Sequence, residues 1–347
     1  MKKKIAVVFG GQSTEHEVSL KSANQVMNAL DKNKYNIIPI AITKSGHWLI
    51  GRSGKKYLED NLKKANRKDG VPKKYSSVGS SLIPKKFPEI DLVLPIMHGS
   101  FGEDGRLQGF LDMLKLPYAF SGTLASALAM NKEKTKLIAK VAGVKVAKSV
   151  TLKKSKKFDL EEIISKLSLP IVVKPIELGS SVGVDLAKSK TALKNAIKTA
   201  FTHGDEILLE QFIKGRELTV AVMGGEKSKV LPVIEIVPKS SSWFNYQAKY
   251  KVDGAEEICP ADIPSKIYKK AQTYAIKAFE SLGCLDLARA DFIWENQSEN
   301  LYFLEINTIP GMTETSLAPQ AAKAAGMDFP EFLDKIIQTA VEMSRKV

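Results

Sequence analysis

At 347 residues the chain is long enough for roughly two to three domains of ~100–200 residues each. Its 44% hydrophobic residues supply proper cores and its 26% charged residues are ordinary for a globular fold, which excludes a disordered or fibrous chain. Lys and Arg outnumber Asp and Glu 52 to 38, a net charge of +14, yet the lysines are scattered in short clusters such as Lys153-Lys154 and Lys156-Lys157. With no basic arm, no RNA-binding aromatic motif and no zinc-finger spacing, that excess reads as a solvated surface, and nucleic acid is not an expected partner.

Two cysteines, Cys259 and Cys284, are too few for a disulfide framework or a Cys-rich metal site. The N-terminal "MKKKIAVVFGG" has only five apolar residues before its paired glycines, so it reads as a buried first strand and not as a signal segment. No run approaches the ~20 apolar residues that a membrane span requires. The expectation is a cytoplasmic protein with no membrane partner.

The first third alternates strand and helix signals: strands at 4–9, 35–42 and 92–97, helices at 17–30 and 106–114. Such alternation predicts a parallel sheet with helices on its faces. Residues 43–89, rich in Lys, Gly, Ser and Pro, read as a surface excursion with a short hairpin near 47–50. Helices follow at 124–130 and 132–142, a strand at 149–152, a helix at 160–166, a hairpin at 172–187, a helix at 191–201 and a strand at 207–211. The last part carries strands at 217–223 and 230–237, a polar stretch at 239–250, a helix at 265–282, a hairpin pairing 285–294 with 301–307, and two closing helices. The fold class is α/β, in three α/β modules.

Three stretches carry chemistry. "FGGQSTEHEVSL" and "PIMHGSFGEDGRLQG" each follow a strand and open a helix, the place where an open α/β sheet binds ligands; turn glycines and helix caps at Thr14 and Asp104 are the plainer alternative. "VVKPIELGSSVGVDLA" is a hairpin whose loop, Leu178 to Gly183, has the small, hydroxyl-rich composition that wraps phosphate. It is neither a Walker A loop nor a G-x-G-x-x-G turn. In "LDLARADFIWENQSENLYFLEINTIPGMTETSL", Glu305 and Asn307 share one strand face, and Arg289 and Asp291 another. A turn centred on Ser298 sets Asp291 opposite Glu305 and Arg289 opposite Asn307, whereas a one-residue slip separates the pairs. Asp291, Glu305 and Asn307 are hard oxygen donors suited to Mg²⁺, and an arginine beside them can stabilise developing negative charge. Surface ion pairs are the alternative, but the apolar neighbours of Glu305 argue that this strand is buried, and buried charge needs a reason.

With these stretches and with "ASALAMNKEKTK", "LLEQFIKGRELTV" and "YQAKY" in the same order, the chain closely resembles the ATP-grasp ligases, and among them the D-alanine–D-alanine ligases of peptidoglycan precursor synthesis. The resemblance runs nearly end to end. It departs mildly before the Gly-Ser-Ser of the loop, where Glu177-Leu178 stands for the Arg-Glu of some members, and 43–89 and 153–166 carry no matching motif. It implies a Rossmann-like N-terminal substrate domain (1–120), a central lid domain with the Gly-rich hairpin (121–210) and a C-terminal domain with metal and catalytic residues (211–347).

The resemblance also implies roles. ATP phosphates are met by Lys132, Lys174, Gly179, Ser180 and Ser181, and the adenosine by Glu210, Gln211, Phe212, Ile213 and Glu217. Two ions of Mg²⁺ or Mn²⁺ sit on Asp291, Glu305 and Asn307. Glu15 pairs with the first D-alanine's ammonium and forms a bridge with Ser180 and Tyr250 that pins the lid. His98 positions substrate, Arg289 and the N–H of Gly311 stabilise the oxyanion, and Lys249, Ser316 and Leu317 bind the second D-alanine. The implied reaction joins two D-alanine molecules through an acyl phosphate, in a homodimer. Three rivals remain open: a sister ligase taking D-lactate or D-serine second, another ATP-dependent carboxylate–amine ligase, and a nucleotide-binding or nucleic-acid-binding protein without catalysis.

Overall fold

The computed structural model describes residues 2–65, 87–179, 182–239, 254–295 and 298–344. β1 (Lys3–Gly10), β2 (Tyr35–Ile42), β3 (Trp48–Ile50) and β4 (Leu92–Ile96) form the first sheet, in the order β3-β2-β1-β4. β1 runs parallel to β2 and β4, as the alternating pattern predicts, and β3 folds back antiparallel on β2 in the expected hairpin. Helices α1 (His16–Ala29), α2 (Arg52–Ala65) and α3 (Arg106–Met113) accompany it.

Helix α2 corrects the reading of 43–89 as mere excursion. Its lysines hide a short apolar stripe in which Tyr57 and Leu58 are buried. Gly54 lets its first turn press on the sheet, since a Cβ there would lie 2.5 Å from the Leu49 carbonyl oxygen and 2.8 Å from that of Pro39. The Gly54-Lys55 pair is thus a packing feature, in keeping with its failure to match a phosphate loop.

Next come α4 (Thr123–Met130) and α5 (Lys132–Val141), the latter capped by the Asn131 side chain, which accepts from the Lys134 N–H. The second sheet, β5 (Ser149–Lys153), β6 (Ile171–Pro175), β7 (Asp185–Ala187) and β8 (Glu206–Gln211), is antiparallel throughout, in the order β5-β8-β6-β7. Helices α6 (Leu160–Leu167) and α7 (Lys190–Ala200), capped by Asp159 and Ser189, cover it. Its core, including Leu152, Ile163, Ile171, Leu193 and Ile207, is separate from the others.

The third sheet holds β9 (Gly215–Met223), β10 (Lys229–Val230), β11 (Ile234–Pro238), β12 (Ala255–Ile258), β13 (Leu287–Glu295) and β14 (Leu301–Asn307). The order is β12-β11-β9-β13-β14, with β10 paired to β9. The single strand expected at 230–237 is two strands, because Pro232 has no N–H to give a ladder. Ala288, Ala290 and Phe292 point to one face of β13, where α8 (Ser265–Ser281) packs its own Ala271, Ala275 and Ala278. Small residues on both sides let helix and sheet approach closely. Ala129 and Ala139 of α4 and α5 join this same core.

Leu287, on the other face of β13, belongs to a core that spans the first and third sheets. Val7, Phe9 and Leu94 meet Ile309, Met312 and residues of the last helices, α9 (Leu317–Ala324) and α10 (Phe329–Ser344). Asp334 of α10 accepts from the Tyr35 hydroxyl and pairs with Lys34 at 3.0 Å.

Asp286 lies at this seam. Its Oδ2 accepts from the Phe120 N–H at 2.7 Å, while Oδ1 is buried with no partner among the described residues. Burial pushes the carboxyl up to about 7 from its ordinary 3.8, against that one hydrogen bond. The neutral acid is therefore the form the fold prefers. Stability conferred by protonated Asp286 is present in full below pH 4 and is lost as pH rises towards 7. The backbone is left-handed here, with φ of 52°, which Asn tolerates as Asp does. Asp286→Asn keeps the acceptor and removes the charge, so its melting temperature should exceed wild type at pH 8 and converge on it near pH 4. A constant offset across that range in thermal melts would show that Asp286 does not titrate in the fold.

Candidate active site

The hairpin β13–β14 presents Arg289, Asp291, Glu305 and Asn307 on one face, with Asp291 opposite Glu305 and Arg289 opposite Asn307. The turn alone does not produce this register. Next to the turn, Trp294 pairs with Leu301 and Phe292 with Phe303, a phase that would set Leu304 opposite Asp291. A bulge between Phe292 and Asp291 inserts one extra residue and shifts Glu305 into line. The expected pairing is reached, but through the bulge.

Asp291 is only 4% exposed. Arg289 donates to it through Nε (2.9 Å) and through its terminal nitrogen (2.8 Å); the Thr219 hydroxyl donates at 2.6 Å and the Asn307 amide at 3.1 Å. Burial opposes the charge of Arg289, yet Asp291, then Glu305 and Glu103, more than offset it, and the guanidinium is held firmly protonated. Glu305, half-buried, lies 3.7 Å from the Lys132 ammonium, which also donates to the Leu178 carbonyl at 2.6 Å. Asn307 spends an N–H on Asp291, which leaves its carbonyl oxygen to offer a ligand. Among the described residues no three His, Cys, Asp or Glu side chains converge as a cage for a metal ion. Two carboxylates and one amide suit instead a Mg²⁺ ion that takes its remaining ligands from water and substrate phosphates.

Above this face, two loops of the first sheet converge. Gly99 has φ of +72°, and a Cβ on it would fall 2.5 Å from Glu15 Oε2; a Cβ on Gly179 would fall 3.1 Å from the same oxygen. The Glu15 carboxylate thus sits where the loop after β4 meets the start of the loop between β6 and β7. His98 is buried and its Nδ1 donates to the Ile309 carbonyl at 3.2 Å, so Nε2 is the acceptor facing the Ser22 hydroxyl at 3.4 Å. Burial lowers its pKa, against the pull of Glu15, and keeps the imidazole neutral. Glu103 accepts from the Gly99 N–H (2.7 Å) and the Ile309 N–H (3.3 Å). Burial and then the neighbouring Glu15 push its carboxyl up to about 8.

One residue at β14's exit, Ile309, is therefore gripped at both its N–H and its C=O by one loop. Two residues further, the position of a Cβ on Gly311 is 2.9 Å from Ser316 Oγ, which accepts from the Thr313 N–H at 3.1 Å and pairs with the Thr313 hydroxyl at 2.7 Å. Ser316 precedes α9, whose first residue, Leu317, packs on the shared core.

At the other end of the cleft, Glu210 is 3% exposed and accepts from two ammonium groups, Lys174 and Lys136. Gln211 and Phe212 donate their N–H groups to the carbonyls of Lys148 and Pro170, and with Ile213 they lead from β8 to Glu217 on β9. A cavity of about 530 Å³ opens beside the end of β6, lined in part by Arg106, Met130, Leu178 and His203, and none of the Asp291 cluster borders it. Ser180, Ser181, Lys249 and Tyr250 lie outside the described residues, as does most of the polar stretch 239–250.

Sequence reasoning missed Lys136, Glu103 and Thr219. Each carries a signal in hindsight: Lys136 is one helical turn past Lys132, Glu103 follows His98 in one loop, and Thr219 is on the strand face of Glu217.

The N-terminal model of the D-ala D-ala ligase family matches residues 4–121, and the C-terminal model matches 138–338. The D-alanine–D-alanine ligase of Desulfotalea psychrophila is 41% identical, across 99% of this chain and 96% of its own; that of Natranaerobius thermophilus is 38% identical, across 98% and 96%. Among solved structures, the VanG D-Ala:D-Ser ligase of Enterococcus faecalis superposes with a TM-score of 0.82 at 37% identity, covering 98% of this chain and all of that one. The D-alanine–D-alanine ligase of Bacillus anthracis, solved in complex with ATP, gives 0.76 at 29% identity, covering 99% of each. The three sheets and the cleft between them are thus the ATP-grasp architecture of ATP-dependent ligases. Within that class, the chain belongs to the D-alanine–D-alanine ligase family.

Removing the Glu103 carboxylate tests the grip on Ile309. Glu103→Ala leaves two buried N–H groups unpaired, a loss of about 1–3 kcal/mol for each group so orphaned. Denaturant titration should show a destabilised but folded protein, with turnover reduced more than nucleotide affinity. Unchanged stability would mean that water replaces the carboxylate at no cost.

Proposed function

We propose that the chain ligates two D-alanine molecules to D-alanyl-D-alanine at the expense of ATP, releasing ADP and phosphate for peptidoglycan precursor synthesis. The observation that carries this is the buried Arg289–Asp291 pair facing Glu305 and Asn307, with Glu15 poised above it beside the lid base. A carboxylate is a poor electrophile until one of its oxygens becomes a good leaving group. Transfer of the γ-phosphoryl group to the first D-alanine supplies that, and the amine of the second D-alanine then attacks the acyl carbon and expels phosphate.

Each residue has a task that follows from its chemistry. Glu15 offers an anion to the ammonium of the first D-alanine. Arg289, held cationic by Asp291, faces the charge that develops on the acyl oxygen, with the Gly311 N–H as second donor. Neutral His98 fixes Ile309 and so the approach to Gly311. Lys132 and Lys174 meet the phosphates together with Gly179, Ser180 and Ser181, and Glu210 to Ile213 with Glu217 border the adenosine. Asp291, Glu305 and Asn307 would hold Mg²⁺ or Mn²⁺, in two ions, which neutralise phosphate charge when bound. Ser316, Leu317 and Lys249 receive the second D-alanine, and Ser180 and Tyr250 join Glu15 in closing the lid against water, which would otherwise hydrolyse the acyl phosphate. Modules bounded at 1–120, 121–210 and 211–347, a homodimer and a cytoplasmic location belong to the same reading; no helix of the described residues is long and apolar enough to cross a membrane.

D-serine as second substrate is the other reading, favoured by the likeness to the VanG ligase. The Lys249-Tyr250 pair and the lack of histidine in 239–250 support D-alanine and weigh against D-lactate. ADP release dependent on D-alanine, with products separated after competition between D-alanine, D-serine and D-lactate from pH 6 to 9, decides between them. D-alanyl-D-alanine should dominate throughout; a mixed dipeptide or a depsipeptide as main product moves the chain to a sister specificity. Arg289→Met should lower turnover by roughly 10²–10³-fold with little change in ATP affinity. A parallel collapse of ATP binding would make Arg289 a nucleotide contact or a structural residue. Glu305→Gln should abolish phosphate release at any magnesium concentration while the protein stays folded, and near-normal rates at ordinary magnesium would remove Glu305 from the site.

A further inference from the structure

We propose that Lys136 is a resident counter-ion of Glu210, whose presence frees Lys174 to leave that carboxylate for the nucleotide's phosphates. This rests on the reading of the cleft as an ATP site. Glu210 receives Lys136 from α5 and Lys174 from β6, two cations on one anion, all three under 10% exposed. Such a cluster holds one positive charge in excess, in a place where burial makes charge expensive. Burial, countered by Glu210 and reinforced by Lys174, brings the Lys136 ammonium down to about 8. An arriving polyphosphate is the anion that balances the surplus.

The two lysines are not equivalent. Lys174 precedes Pro175 at the foot of the lid, and Lys132, one turn before Lys136, already reaches Leu178 on that lid. Lys136 is the more deeply buried of the two, 3% exposed against 8% for Lys174, and it stands on the helix that packs under β14. If Lys174 turns to phosphate, Glu210 keeps Lys136 and never becomes an unpaired buried carboxylate. Without Lys136, the nucleotide must compete with Glu210 for Lys174.

The test is a double-mutant cycle on nucleotide affinity. Wild type is first titrated calorimetrically with magnesium and ADP; if it binds none, the ligase reading fails before this one is touched. Lys136→Met should fold with an apo melting temperature equal to or above wild type, since it removes the surplus charge, and should bind ADP at least tenfold more weakly. Lys136→Arg, which keeps the cation, should restore most of that affinity. In a Glu210→Gln background, Lys136→Met should cost less than threefold, because no carboxylate is left to neutralise. An equal loss in both backgrounds would make Lys136 a direct phosphate ligand, and no loss in either would remove it from nucleotide binding; each result overturns the proposal. If Lys136→Met fails to fold, the Arg variant carries the test: ADP affinity reduced tenfold despite the retained charge overturns it.

Discussion

A carboxylate that is almost wholly removed from water must be answered by donors, and Asp291 is answered by four at once. Arg289 donates twice, Thr219 and Asn307 once each. This single requirement fixes much of the cleft. It orients the guanidinium, turns the Asn307 carbonyl outward, ties β13 to both of its neighbours and demands the register that the Leu304 bulge supplies. Breaking one partner of such a buried pair is far costlier than losing a surface ion pair, because the remaining charge has nowhere to go. The floor of the site is rigid for that reason.

Around the floor, the fold divides its labour by where the cores are. The first and third sheets share one apolar core, and the loop from His98 to Glu103 grips Ile309 at both its N–H and its C=O. The loops that follow β4 and β14 are thereby held in one frame. The second sheet keeps a core of its own, and polar links join it to the frame: Lys132 on Leu178, Asn131 on Glu177 and Lys136 on Glu210. Polar links can exchange partners when an anion arrives, whereas packed apolar cores cannot without opening.

Strong periodicity made most elements legible. The strand at 35–42 and the helices at 123–130 and 265–281 fall within a residue of their expected bounds, because each has an apolar stripe of one clear period. Helix α2 did not show, since only Tyr57, Leu58 and Leu62 mark its buried side among lysines, and β12 follows a stretch without a clear pattern. The lone strand expected at 230–237 ignored Pro232.

What the sequence determined by itself was the chemistry on offer: which strand faces carry carboxylates, which loops carry glycines, and which motifs stand in family order. Those depend on spacing along the chain, and spacing is local. Only the tertiary structure decided that a bulge at Leu304 brings Glu305 opposite Asp291, that Glu103 reaches across to Ile309, and that Lys136 shares Glu210 with Lys174. These join residues from 14 to 206 positions apart, and which donor satisfies a buried charge is settled by packing, to which sequence spacing is blind.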